Sequence, residues 1–163
     1  MKLTLSLGFA FFLVGLCSLV LSADMEDNSV ERAKLFALRM DSQSDHLYEL
    51  SKPFGKNTKH YRLIAKSVGE EKALRLLFLG FLDVQYSYRI QWERNLAVSY
   101  LEVFSVGELD SLMREAKKSP YFPKFIENRE LVGINAQKRS ENIIKAVALK
   151  SAEKAFEKFN NSQ

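Results

Sequence analysis

The sequence predicts an all-α protein: an irregular helical bundle of about five or six helices with a long C-terminal helix, behind an apolar leader. Three observations carry this. Apolar residues recur at three- and four-residue steps through most of the chain after residue 30. No stretch of any length alternates apolar with polar residues as a strand would. Helix-start signals recur, and the clearest is Ser105-Val-Gly-Glu108. There the serine oxygen can accept from the Glu108 amide while the glutamate reaches back to the Ser105 amide.

The first residues bear on location. Lys2 gives a positive start, Leu3 to Leu21 is apolar apart from Thr4, Ser6 and Ser18, and Ala23 precedes the acidic Asp24-Met-Glu-Asp27. This is the pattern of a secretory signal peptide over residues 1–23, cut after Ala23. Cutting after Ser22 is the alternative. A retained anchor is another, since the run approaches the roughly 17–25 residues of a membrane span. Cys17 is the only cysteine and lies in the leader, so residues 24–163 contain no disulfide and depend on an apolar core. Loss of Lys2 lowers the formal charge of +4 by one. So mild an excess gives no case for nucleic acid, which calls for a clustered basic face. One helical domain over 24–163, with 24–29 as a flexible lead-in, is the expected organisation.

Asn28 or Ser29 starts a helix that runs to about Met40, with Ala33, Phe36, Ala37 and Met40 on one side. Leu47, Tyr48 and Leu50 form a short helical patch that stops near Ser51, because Pro53 disfavours the α region at Lys52. Pro53 to Thr58 reads as a loop. Its Gly55-Lys-Asn-Thr58 lacks the upstream glycine and the Gly-Lys-Ser/Thr order of a phosphate loop. Thr58 caps the next helix, which carries Tyr61, Ile64, Ala65 and Val68 and ends near Gly69. Leu74 to Phe104 is one long helix, kinked around Gly80 or Asp83, with Leu77, Phe81, Trp92, Leu96 and Tyr100 inward and residues 76–82 in mid-bundle.

A short helix then begins at Val106, packs Leu109, Leu112, Met113 and Ala116, and carries Lys117 and Lys118 in its last turn. Ser119 and Pro120 start the last helix as N-cap and first residue. Its packing side from Gly133 reads Ala136, Ser140, Ile143, Ile144, Val147, Ala148, Ser151, Ala152, Ala155, Phe156 and Phe159. Gly133, Ala136 and Ser140 are small enough for another backbone to come close. Unbroken to Phe159, this helix would be about 60 Å long and overhang the domain. A break near Gly133-Ile-Asn135 would instead fold it back.

Residues able to carry chemistry are few. His46 and His60 are the only histidines, and Asp45, His46 and Glu49 lack a visible third ligand, so no metal site is expected. No serine sits in a nucleophile context. Asp83, Arg89, Glu93 and Arg94 lie beside Tyr86, Tyr88 and Trp92, the one place where polar and aromatic groups converge. No catalytic, cofactor-binding or metal-ligating residue is assigned, and no cofactor is expected.

The order of parts also resembles a known family. A helix ending in Tyr100-Leu-Glu-Val-Phe104, then Ser105-Val-Gly-Glu108-Leu109, a short helix, and Ser119-Pro120 before a long basic helix resemble small secreted proteins of Gram-negative bacteria catalogued as a domain of unknown function. Members share a signal peptide, an all-helical mature region and a Phe-Ser-x-x-Glu-Leu step before a Ser-Pro helix start. The match covers residues 96–150. This chain has Ala116-Lys-Lys118 where members tend to carry an aromatic residue, and Tyr121-Phe-Pro123 where they tend to carry a glycine. The resemblance implies a helical fold and a periplasmic location, and it transfers no activity.

Three functions are therefore expected in order. The first is an exported periplasmic or secreted protein acting through protein contacts, as a homo-oligomer or with a partner, by its C-terminal helix. The second is a lipid- or membrane-surface-binding module. The third is an enzyme with a pocket near Trp92. No transmembrane span is expected beyond the leader.

Overall fold

The structure, a computed structural model, describes residues 27–40 and 43–162. The described residues are helical throughout apart from short turns. The helices are α1 (27–40), α2 (Gln43–Lys56), α3 (Lys59–Val68), α4 (Glu70–Val84), α5 (Tyr86–Leu101), α6 (Val106–Glu115), α7 (Phe122–Arg139) and α8 (Glu141–Asn160), with a 3-10 turn at Ala116–Lys118. The all-α expectation holds. Among the described residues the helix number is corrected to eight, because two long helices are each divided. The leader lies outside the described residues, as does the start of the expected lead-in. Residues 27–29 of that lead-in are helical.

Local signals behave as the sequence reads. Thr58 accepts from the Tyr61 amide at 3.2 Å and starts α3. Gly69 ends it at φ +86°, a conformation that favours glycine. Both bonds of the Ser105/Glu108 capping box form, at 3.3 and 2.8 Å, a device of about 1 kcal/mol. Lys124 bonds both Glu108 carboxylate oxygens, at 2.8 and 2.9 Å. With the Ser105 amide it holds that carboxyl below its usual range, against the opposing effect of burial.

The departures have tertiary causes. α2 runs through Pro53 to Lys56 instead of stopping near Ser51. Gly55 is buried there beside Leu77 of α4 and the Ala148 carbonyl of α8, where a Cβ would lie 3.2 and 3.5 Å from them. The long Leu74–Phe104 helix divides at Gln85 rather than at Gly80 or Asp83. Gln85 keeps helical dihedrals (φ −54°, ψ −39°), so α5 follows α4 without a loop, α4 packing mainly on α8 and α5 on α7. α6 stops at Glu115 because Ala116 turns to φ +49°, which places Lys117 and Lys118 in the 3-10 turn instead of the last turn of α6. Ser119 accepts from the Tyr121 amide at 3.2 Å, but the helix proper begins at Phe122, with Pro123 in its first turn.

The predicted C-terminal helix divides at Ser140, neither unbroken nor bent at Gly133–Asn135. Buried Asn95 of α5 sets this point. Its side-chain amide donates to Ser140 Oγ at 3.0 Å and to the Arg139 carbonyl at 3.3 Å. Helical hydrogen bonds continue on both sides of Ser140, to the Ala136 carbonyl at 3.0 Å and from the Ile144 amide at 2.9 Å, and beyond it α8 packs on α2, α3 and α4. Phe156 and Phe159 therefore pack beside Tyr61 and Leu77 instead of forming an overhanging apolar end.

Three buried clusters follow. One joins α1, α5, α6 and α7 around Phe36, Tyr100, Phe104 and Leu112. The second joins α2, α4, α5 and α8 around Leu47, Phe81, Trp92 and Val147. The third joins α3, α4 and α8 around Ile64, Leu77 and Ala152. The glycine that admits a neighbouring backbone is not Gly133, whose missing side chain would meet nothing within 4 Å. It is Gly80, where α4 meets α8 and an added Cβ would lie 2.1 Å from the Ser151 carbonyl oxygen.

Candidate ligand cleft

α2 and α7 stand on either side of α5, and the gap between them is an open cleft of about 360 Å³. Its size falls within the range of small-molecule sites. The clusters above explain why it stays open. α5 commits its Leu96 and Tyr100 to the α1–α6–α7 core and its Trp92 to the α2–α4–α8 core. The cleft marks the seam between these two packings. Its floor is Trp92, Leu96 and Tyr100. One wall is His46, Glu49 and Leu50 from α2. The other comes from α7, with Val132 and Ala136 turned inward, Gly133 and Ile134 at the mouth, and Arg129, Glu130 and Gln137 beside them.

The floor and inner walls are apolar, while His46, Glu49, Arg129, Glu130 and Gln137 form a polar rim of mixed charge. Trp92 is only 3 % exposed, and its indole N–H has no acceptor among the described residues. The lining contains no Ser, Thr, Cys or Lys. The arrangement suits retention of an apolar molecule with a polar edge better than nucleophilic chemistry.

The sequence singled out six residues around Trp92, and the structure disperses them. Asp83 pairs with Lys158 of α8 at 2.8 Å. Glu93 is buried between Lys34 of α1, at 3.4 Å, and Arg89, at 2.5 Å. Tyr86 and Arg94 face solvent, and Tyr88 lies under the Lys150 ammonium, 5.7 Å from the ring centre. Only Trp92 reaches the cleft. His46 and Glu49 reach its rim, while the side chain of Asp45 lies outside the described residues. His60 is remote, its ring 5.0 Å from that of Phe156. Among the described residues no three His, Cys, Asp or Glu gather closely enough to hold a metal ion. The α7 wall carries no sequence signal beyond the small size of Gly133 and Ala136.

No family model, curated protein or solved structure matches the chain. Among the described residues no helix is long and apolar enough to cross a membrane.

Proposed function

We propose that this chain is an exported helical binding protein that holds an apolar small molecule between α2, α5 and α7. The observation that carries the reading is the apolar floor of Trp92, Leu96 and Tyr100 beneath a polar rim. Export rests on the leader pattern of residues 1–23 and on the resemblance to small secreted helical proteins.

Trp92 is the only tryptophan, which makes the floor its own reporter. A neutral apolar dye such as N-phenyl-1-naphthylamine is expected to bind saturably at one site and to receive energy from Trp92. Gly133→Leu is expected to weaken that binding at least tenfold. The new side chain has open space and enters the mouth of the cleft without a clash, and it removes a helix-weakening glycine. Non-saturable binding, or a variant that binds as the parent does, would sink the reading.

A second reading, contact with another protein chain, is favoured by the outer face of α4 and α5. Tyr86 and Ile90 are 71 % and 76 % exposed, and Phe78, Leu79 and Leu82 continue the stripe. Contiguous exposed apolar surface is the usual mark of a contact face. This face carries more exposed apolar surface than the end of the C-terminal helix, where Phe156 and Phe159 pack against the third cluster. On this reading Ile90→Asp reduces the mass seen by light scattering, or abolishes capture of a partner. A monomer with no partner in either form removes it.

A further inference from the structure

A second groove lies on the opposite part of the molecule, where the end of α3, the first half of α4 and the end of α8 meet. Its volume is about 360 Å³. Val68, Leu76, Leu79 and Phe159 give it apolar walls, and Lys72 and Arg75 are its only charged residues. Neither cation makes an ion pair with a described residue. Of the nearby α4 carboxylates, Glu70 is taken by Lys56 at 2.7 Å and Asp83 by Lys158, while Glu71 is exposed and does not line the groove. Lys72 and Arg75 are one helical turn apart, so both project from the same side of α4.

We propose that this groove binds the free anion of a single-chain fatty acid, with the chain against Leu76, Leu79 and Phe159 and the carboxylate between Lys72 and Arg75. The charge of the lining is of one sign, so it attracts an anion. Two donors one turn apart match the two oxygens of a carboxylate. The walls are a concave slot between three helices, which suits a single chain better than the flat face of a bilayer. The proposal does not depend on the Trp92 cleft being a binding site.

Calorimetric titration of the purified protein with decanoate and with decanol, both below their aggregation limits, tests it. Decanoate is expected to bind one site in the micromolar range, at least tenfold more tightly than decanol. Lys72→Gln with Arg75→Gln is expected to remove that difference. Both side chains are exposed, so circular dichroism should show an unchanged fold. The single Lys72→Glu change, read the same way, gives a second variant of opposite charge. Trp92 fluorescence should not change on binding, because Trp92 lies in the other cleft. Equal affinity for the two ligands would overturn the proposal. So would decanoate binding that the double variant leaves intact or that Trp92 reports. Cosedimentation with phosphatidylglycerol vesicles that depends on Lys72 and Arg75, without decanoate binding, would assign the surface to a membrane and equally overturn it.

Discussion

Replacing Gly80 by alanine is expected to lower stability by about 3 kcal/mol or more. Two effects oppose each other. Alanine is the better helix former, worth about 1 kcal/mol in a helix interior. Against that, the added methyl would lie 2.1 Å from the Ser151 carbonyl oxygen and 2.9 Å from the Ala155 amide nitrogen. Those atoms belong to the α8 backbone and cannot swing aside as the end of a side chain could. The two helices must part along their most extensive contact, and Leu77, Ala152 and Ala155 lose packing with them. The clash therefore outweighs the propensity gain. A fall of about 10 °C or more in melting temperature should accompany it. Were Gly80 only a flexible point in a long helix, the substitution would stabilise the protein. The sign of the change in urea midpoint decides between the two.

Phe36→Ala is expected to cost about 3–5 kcal/mol. Phe36 is fully buried on α1, edge-on to Tyr100 at 4.9 Å and to Phe125 at 5.9 Å. It is thus the point at which α1 joins α5 to α7. Truncation leaves a cavity bounded by three helices that are already fixed by their own contacts, so little collapse can fill it. Leu35, its neighbour, is 58 % exposed, and Leu35→Ala should change stability by no more than about 0.5 kcal/mol. A measured pair of equal, small effects would mean that α1 does not dock through this face.

The difference between these adjacent residues was legible in the sequence, since Ala33, Phe36, Ala37 and Met40 mark one side of a helix. So were the boundaries set by neighbours in the chain, at Thr58, Gly69 and Ser105, because a cap is chosen by the next three or four residues. Boundaries set from elsewhere were not. Pro53 stays helical because Gly55 has a place against α4 and α8, and Ser140 ends α7 because Asn95 arrives from another helix. The cleft was legible only through Trp92, its sole uncommon residue. Its walls are positions where α2 and α7 fail to meet, a property of the packed bundle that no spacing encodes. Gly133 shows the ambiguity best. A glycine on a helix face can admit a neighbouring backbone or face open space, and the sequence reads the same in both cases. Gly80 does the first and Gly133 the second.

The Asn95 amide has one further consequence, for the order in which the chain can assemble. Residues 122–160 have no proline after the first turn and no helix-ending glycine at the joint, so nothing local obliges the chain to turn at Ser140. The turn acquires its definition only when α5 delivers Asn95 to the Arg139 carbonyl and Ser140 hydroxyl, and Asn95 is itself steadied by Gln91 at 3.0 Å. Because α7 belongs to one buried cluster and α8 to the other two, the same side chain couples them. The joint at Ser140 is therefore expected to settle only after α5 has packed, which makes this polar contact one of the links between the apolar cores.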